Sequence, residues 1–338
     1  RQVNMGLDLG LFEGRFSLEA DYYISKSDGL LLDVPVPSVT GFTNVFRNIG
    51  KLENKGLELN LSSHNLTGEF SWTTQLNFSR NRNKVVELGE DDAPMIYNAG
   101  FGMQSINKVG HPVYNFYGYQ YDGVYMTQEE ADSDPARYES AMAGDGKYAD
   151  VNGDDVLNSD DRTIIGNYAP DFTWGVTNNF SYKGFDLSFL FQGVQGSEVF
   201  DNNIHRSMQY HEGRNYYHEM VDRWRSEEDP GDGYHYKLTV DLDGLERTAS
   251  SYWIVDGSYL RLKSLTFGYT FQPELLQRMK LGSLRVYFNG MNMLTVKQSP
   301  IFDPENFNGG AAEAQRRGVA HSPCPSAKIY TLGVNVGF

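Results

Sequence analysis

The stretch DVNGDDVLNSDDR, Asp150 to Arg162, places oxygen-bearing side chains at alternate positions and ends in a run of acids. Hard oxygen donors spaced this way around a turning loop are what Ca2+ requires. Against the D-x-[DN]-x-[DN]-G-x5-E pattern, Asp150, Asn152 and Asp154 fall at positions 1, 3 and 5, the Val156 carbonyl at 7, Asn158 at 9 and Asp161 at 12. Position 6 is Asp155 where glycine normally makes the sharp turn, and Asp161 is one methylene shorter than the usual Glu. Aspartate enters the positive-φ region more readily than most residues, so the turn remains open to it. No helix pattern flanks the loop at Gly144-Asp145-Gly146, which excludes a helix–loop–helix sensor. The expectation is a structural Ca2+ that stiffens an external loop; the plainer alternative is a solvated Asx-rich turn without metal.

Other candidate chemistry is weaker. His205, His211 and His218 stand near Glu212 and Glu219, but without a compact HExxH spacing. The segment NYYHEMVDRWRSEEDP instead predicts an external amphipathic helix with Tyr217, Met220, Val221 and Trp224 turned inward. His321-x-x-Cys324 lacks the second ligand pair of a zinc site, and with Cys324 the sole cysteine no internal disulfide can form. Carboxylates are plentiful, yet no catalytic motif pairs them, so no catalytic residue is assigned and no enzyme is expected. The densest aromatic run is Tyr114, Phe116, Tyr117, Tyr119, Tyr121 and Tyr125, suited equally to stacking on sugar rings and to packing against neighbouring loops or a partner.

The elements that must carry these residues are strands. Of 338 residues, 40 % are hydrophobic and 14 % aromatic, with 22 Tyr, 20 Phe and 35 Gly, a profile of β-structure and turns. A formal net charge of -15 argues against nucleic acid as a partner. No apolar run approaches the ~20 residues of a membrane helix. Val3, Met5, Leu7, Leu9 and Leu11 alternate with polar residues or glycine, and after the Glu13-Gly14 turn Phe16, Leu18, Ala20, Tyr22 and Ile24 do the same. The pattern recurs at Leu57 to Leu61, Phe70 to Phe78, Phe172 to Phe180, Phe185 to Phe191, Leu265 to Phe271, Leu284 to Phe288 and Tyr330 to Phe338. These strands run to ~10 residues, the length that crosses a bilayer when tilted, with aromatics at their ends as in an interfacial girdle.

The expected fold is all-β, an antiparallel transmembrane β-barrel with long extracellular loops. Connectors alternate: residues 12–15, 63–69, 183–184 and 272–282 are short, whereas 26–48, 82–170, 194–258 and 293–328 are long and should face outward. About nine membrane strands result, an odd number where single-chain bacterial barrels have even counts, so the expectation is an incomplete barrel. Val109 to Tyr125 also looks like strand; a single crossing there would give every later connector the wrong length, so it is placed in an external loop or as two short strands.

KYADVNGDDVLNSDDRTIIGNYAPDFTWGVTNNFSYKGFDLSFLFQGVQG, DGSYLRLKSLTFGYTF, SLRVYFNGMNML and the terminal IYTLGVNVGF resemble the C-terminal half of SusC-like TonB-dependent transporters, the starch-utilisation type of Bacteroidota. NKGLELNL and VGHPVYNFYGYQYDGVY extend the likeness over essentially all of residues 1–338. The resemblance implies the last nine or so strands of a plugged barrel of roughly 22, with the plug domain and TonB-binding segment absent from this chain. It implies import of oligosaccharides or peptides across the outer membrane with a SusD-like surface lipoprotein, energised by TonB-ExbB-ExbD. It also makes Phe338, the terminal aromatic, the signal read by the barrel-assembly machinery. A siderophore- or cobalamin-type transporter of the same fold, and a calcium-stabilised surface adhesin or lectin of soluble β-architecture, are the alternatives.

Overall fold

Alternation dictates the architecture. The computed structural model describes residues 1–35, 39, 41, 44–89, 91–100, 102–208, 215–238, 248–305, 314–321 and 324–338. Strands β1 (Gln2–Leu11), β2 (Phe16–Pro35), β3 (Asn44–Leu66) and β4 (Phe70–Leu88) come first. An external insertion follows, with β5 (Met95–Gly100), β6 (Met103–Asn107), β7 (Asn115–Gly118), β8 (Tyr121–Val124), helix α1 (Gln128–Ser133), β9 (Gly146–Tyr148) and β10 (Thr163–Gly166). The chain then re-enters the wall as β11 (Phe172–Tyr182) and β12 (Phe185–Gln195), and leaves it for β13 (Glu198–Asp201), α2 (Asn202–Met208) and β14 (Ile254–Asp256). Last come β15 (Tyr259–Thr270), α3 (Pro273–Met279), β16 (Ser283–Lys297), β17 (Val319–Ala320) and β18 (Ile329–Gly337).

Nine strands form one sheet in the order β1-β2-β3-β4-β11-β12-β15-β16-β18, each antiparallel to its sequence neighbour in the wall. The register makes the two faces chemically distinct. One rung runs Leu9, Leu18, Leu61, Leu76, Val176, Phe191, Leu262, Leu294, apolar across eight strands. The adjacent rung runs Asp8, Glu19, Asn60, Asn77, Gly175, Gln192, Arg261, Thr295 on the opposite face. The apolar face is bare: Leu7 is 57 % exposed and Leu332 82 %. Water would not tolerate an apolar face of this extent, but a bilayer core requires one. Polar residues on that face satisfy each other: Asn178 Oδ1 accepts from Trp72 Nε1 (2.9 Å) and Thr74 Oγ1 (2.7 Å).

Val109 to Tyr125 lies outside the wall, as two short strands, β7 and β8, in separate small sheets. Two expectations need correction. Residues 26–35 and 44–48 are not loop but continuations of β2 and β3, and β4 runs on to Leu88, so these strands stand well above the ~10 residues that a bilayer needs. Charged side chains such as the Lys51–Glu87 pair keep the extension soluble. Secondly, NYYHEMVDRWRSEEDP forms a 3-10 turn at His218–Asp222 and a tight turn at 226–229 rather than an α-helix; Met220 is buried, but Val221 is 51 % exposed. The segment packs through its aromatics: Trp224 Nε1 donates to the Met126 carbonyl at 3.1 Å.

The buried core lies not between wall strands but in the loops. Phe116, Tyr121, Tyr148, Phe200, Tyr252, Trp253 and Val319 belong to one cluster drawn from three external segments. β13 pairs with β14 and, in parallel, with β17, and Tyr119 bridges to Ser250, so the loops form one continuous cap.

Candidate functional site

The acidic loop folds as a ladder of Asx turns. Asp150 accepts from the Gly153 (2.7 Å) and Asp155 (2.9 Å) amides, Asn152 from the Asp154 amide (2.9 Å), and Asp154 from the Val156 amide (3.0 Å). Asp155 takes up φ +62°, the left-handed conformation expected of its position. Asp161 is fully buried, and its two oxygens accept from the Val151 (3.0 Å) and Asn158 (2.8 Å) amides, closing the loop on itself. Asn158 caps the following 3-10 turn and donates to the Val156 carbonyl at 3.2 Å. The Asp155 amide foremost, with those of Gly153 and Asp154, holds the Asp150 carboxyl below its ordinary range. All six sequence-selected positions thus lie in one turn, whose side-chain oxygens accept from the loop's own donors. Among the described residues no three His, Cys, Asp or Glu side chains converge closely enough to hold a metal by themselves.

The aromatic run is structural in its central members. Phe116, Tyr119, Tyr121 and Tyr125 are buried, and Tyr121 donates to the Tyr234 carbonyl at 2.6 Å. Tyr121 also packs edge-on against Tyr252 with centroids 4.8 Å apart. These rings are committed to the cap's core, which decides for packing over sugar stacking at those four positions. Among the described residues the histidines do not gather. His205 is buried against Trp253, with centroids 4.7 Å apart, His218 is exposed, and His211 lies outside the described residues. His321 Nδ1 is engaged by Asn202 Nδ2 at 2.6 Å, while Cys324 is exposed.

Sequence reasoning missed the ion network that ties the last external loop to the wall. Arg261, on the polar face of β15, donates to Asp303 (2.8 Å), Glu305 (2.9 Å) and Thr295 (3.0 Å), and Lys263 reaches Glu305 at 2.5 Å. Arg261 and Asp303 are both buried. Burial pushes the Asp303 carboxyl up, but hydrogen bonds from Ser326, the Glu305 amide and Arg261 outweigh it and hold the group at about 2. Partners some forty residues apart in sequence leave no local signal.

Phe338 is almost wholly exposed at the end of the last wall strand. β18 pairs Val334 with Val286 and Leu332 with Phe288 on the apolar face, and Asn335 with Arg285 on the polar one.

A two-faced antiparallel wall, short turns on one side and a knitted cap on the other define an outer-membrane β-barrel. No family model matches the chain. It is 34 % identical to TonB-dependent receptor P3 of Formosa agariphila over 347 residues, covering 100 % of this chain and 34 % of that protein. It is 27 % identical to TonB-dependent receptor SusC of Bacteroides thetaiotaomicron over 339 residues, covering 99 % and 31 %. Among solved structures, the RagAB peptide transporter superposes with a TM-score of 0.79 at 24 % identity, over 100 % of this chain and 35 % of that one, which supports the fold. These matches support a SusC-like transporter barrel fragment, and the chain spans about a third of the length of the curated relatives it matches.

Proposed function

We propose that this chain forms part of the barrel wall and much of the external mouth of an outer-membrane nutrient importer, a conduit rather than an enzyme. Its cargo would be oligosaccharides or peptides, captured with a SusD-like surface lipoprotein and drawn inward by energy delivered through TonB-ExbB-ExbD. The observation that carries this reading is the sharp division of the wall: a continuous lipid face outside and a continuous polar face inside, capped by loops with a core of their own. A cap with its own core can hold its shape against a partner, which a set of independent loops could not. A Ca2+ held by Asp150, Asn152, Asp154, the Val156 carbonyl, Asn158 and Asp161 would stiffen the rim without meeting cargo. The fit is chemical: hard oxygens at alternate positions, of which those of Asp150, Asn152 and Asp154 keep lone pairs beyond those their amide partners use. Phe338 would be the segment that barrel-assembly machinery engages. The test is uptake by cells lacking the full-length gene, offered labelled oligosaccharides and peptides in parallel. Loss of uptake of one class, restored by the gene, is expected; unchanged uptake of both classes, with no lipoprotein co-purifying with the full-length protein, would overturn the proposal.

A further inference from the structure

Above the apolar band, the outer face of β2–β4 turns basic. Phe78, Arg80, Arg82 and Lys84 lie on one face of β4, with Arg80 beside Leu57, Arg82 beside Lys55 and Lys84 beside Glu53; Lys26 of β2 flanks Glu53 on its other side. No register shift interrupts β3–β4 pairing from Leu59 and Phe78 up to Glu53 and Lys84, so these cations share the lipid-side face with Leu57 and Phe78. The intervening asparagines turn the other way and are held there. Asn81 accepts from Tyr23 Oη (3.2 Å), and Asn83 donates to Asn54 (3.0 Å) and accepts from the Val113 amide (3.0 Å).

Height identifies what this patch meets. Arg80 stands about 10 residues above the short-turn end of β4 at Phe70, and so does Lys26 above Phe16; at ~3.3 Å per residue and ~40° of tilt, both lie about 25 Å up, the height of the apolar band of such barrels. Glu53 accepts from Lys26 (3.3 Å) and Lys55 (2.7 Å), and Asp171 pairs with Arg82. Among the described residues no carboxylate pairs with the exposed Arg80 or Lys84. The excess is local, in a chain whose net charge is -15. On the other side of the wall, the outward residues at the top of β15 and β16 are Leu260, Leu262, Leu294 and Val296.

We propose that this patch binds phosphate groups of outer-leaflet lipid, fixing a phosphorylated lipid against β2–β4. The inference rests on the outer-membrane placement of the wall. Arg and Lys donate charge-assisted hydrogen bonds to phosphate oxygens, while the acyl chains lie along Tyr22, Leu57 and Phe78 directly below. A protein interface would be depleted of charge at its centre, the reverse of what stands here.

The experiment uses the full-length receptor in detergent micelles doped with lipid A, with dephosphorylated lipid A, or with inorganic phosphate alone, and measures bound lipid or phosphorus after gel filtration. Wild type is expected to retain lipid A, to release it at high salt and to retain little of the dephosphorylated form. Arg80→Gln with Lys84→Gln should weaken retention about tenfold or more. Arg80→Lys with Lys84→Arg should keep it, as should the equally charge-reducing Arg137→Gln with Lys147→Gln in the cap. Equal binding of both lipid forms, an affinity for inorganic phosphate matching that for lipid A, or undiminished retention by the Gln pair overturns the proposal. If the Gln pair does not assemble, the comparison of lipid forms on wild type decides alone. Loss of wild-type receptor from outer membranes would instead refute the barrel placement.

Discussion

Val334→Arg in the full-length receptor tests the assignment of faces most directly. Val334 is 60 % exposed on the apolar face, paired with Val286 and flanked along β18 by Leu332 and Val336. It stands about 4 residues above Phe338, hence about 10 Å into a ~25 Å apolar band, close to its middle. A cation there costs about 2 to 4 kcal/mol, a factor of about 30 to 1,000 in the assembly equilibrium. Its neighbours on that face offer no polar partner. Asn335→Arg, one residue on, points to the polar face beside Arg285, which Asp186 already neutralises through a 2.6 Å contact. That substitution should cost a few tenths of a kcal/mol, the ordinary scale for a hydrated surface position. Heat-modifiable barrel in purified outer membranes should therefore fall steeply for Val334→Arg and little for Asn335→Arg. Equal loss from the two would mean that the faces are misassigned and that the lipid-exposed reading of this strand fails.

Deleting Phe338 should lower the receptor's outer-membrane level while leaving the activity per assembled barrel unchanged; a normal level would refute its role in assembly. Arg261→Met should leave the buried Asp303 without a cation and Glu305 with Lys263 alone, destabilising the last external loop by about 3 to 5 kcal/mol, read as faster hydrogen exchange around residues 298–305, whereas Lys263→Met should cost much less. Because the Asp303 carboxyl is held at about 2, below its usual range, its contribution is fully present above the ordinary carboxylate pKa and is lost as pH falls toward about 2. Loop protection should accordingly be flat from neutrality down to about pH 5 and decline between about pH 4 and 2. In Asp303→Asn that acid-dependent step should disappear; its persistence would assign the titration elsewhere. Asp150→Ala with Asp154→Ala should abolish calcium bound by the full-length receptor, and unchanged calcium content by elemental analysis would remove the metal assignment.

Wall strands were legible in the sequence because a period of two is a local property: each of Leu57 to Leu61 or Tyr330 to Phe338 declares its two faces without reference to any other strand. The number of wall strands and the exclusion of Val109 to Tyr125 followed from connector lengths, which are also visible along the chain. The turn of the acidic loop was legible for the same reason, since its Asp and Asn side chains lie within twelve residues and fold on their own amides. What tertiary structure alone decided was every feature made by residues distant in sequence. Tyr121 is equally able to stack on a ligand or to fill a core, and only the arrival of Tyr234 and Tyr252 from another loop commits it. Arg261 finds Asp303 only once β15 and the loop after β16 share one rim. The amphipathic period of the Tyr217 to Trp224 segment misled because the aromatic cap supplies more packing than a short isolated helix could, and it holds the chain in a 3-10 turn instead. Likewise the cations in SRNRNK are unremarkable as a string. The register of β3 against β4 turns Arg80, Arg82 and Lys84 toward the lipid and the asparagines between them inward.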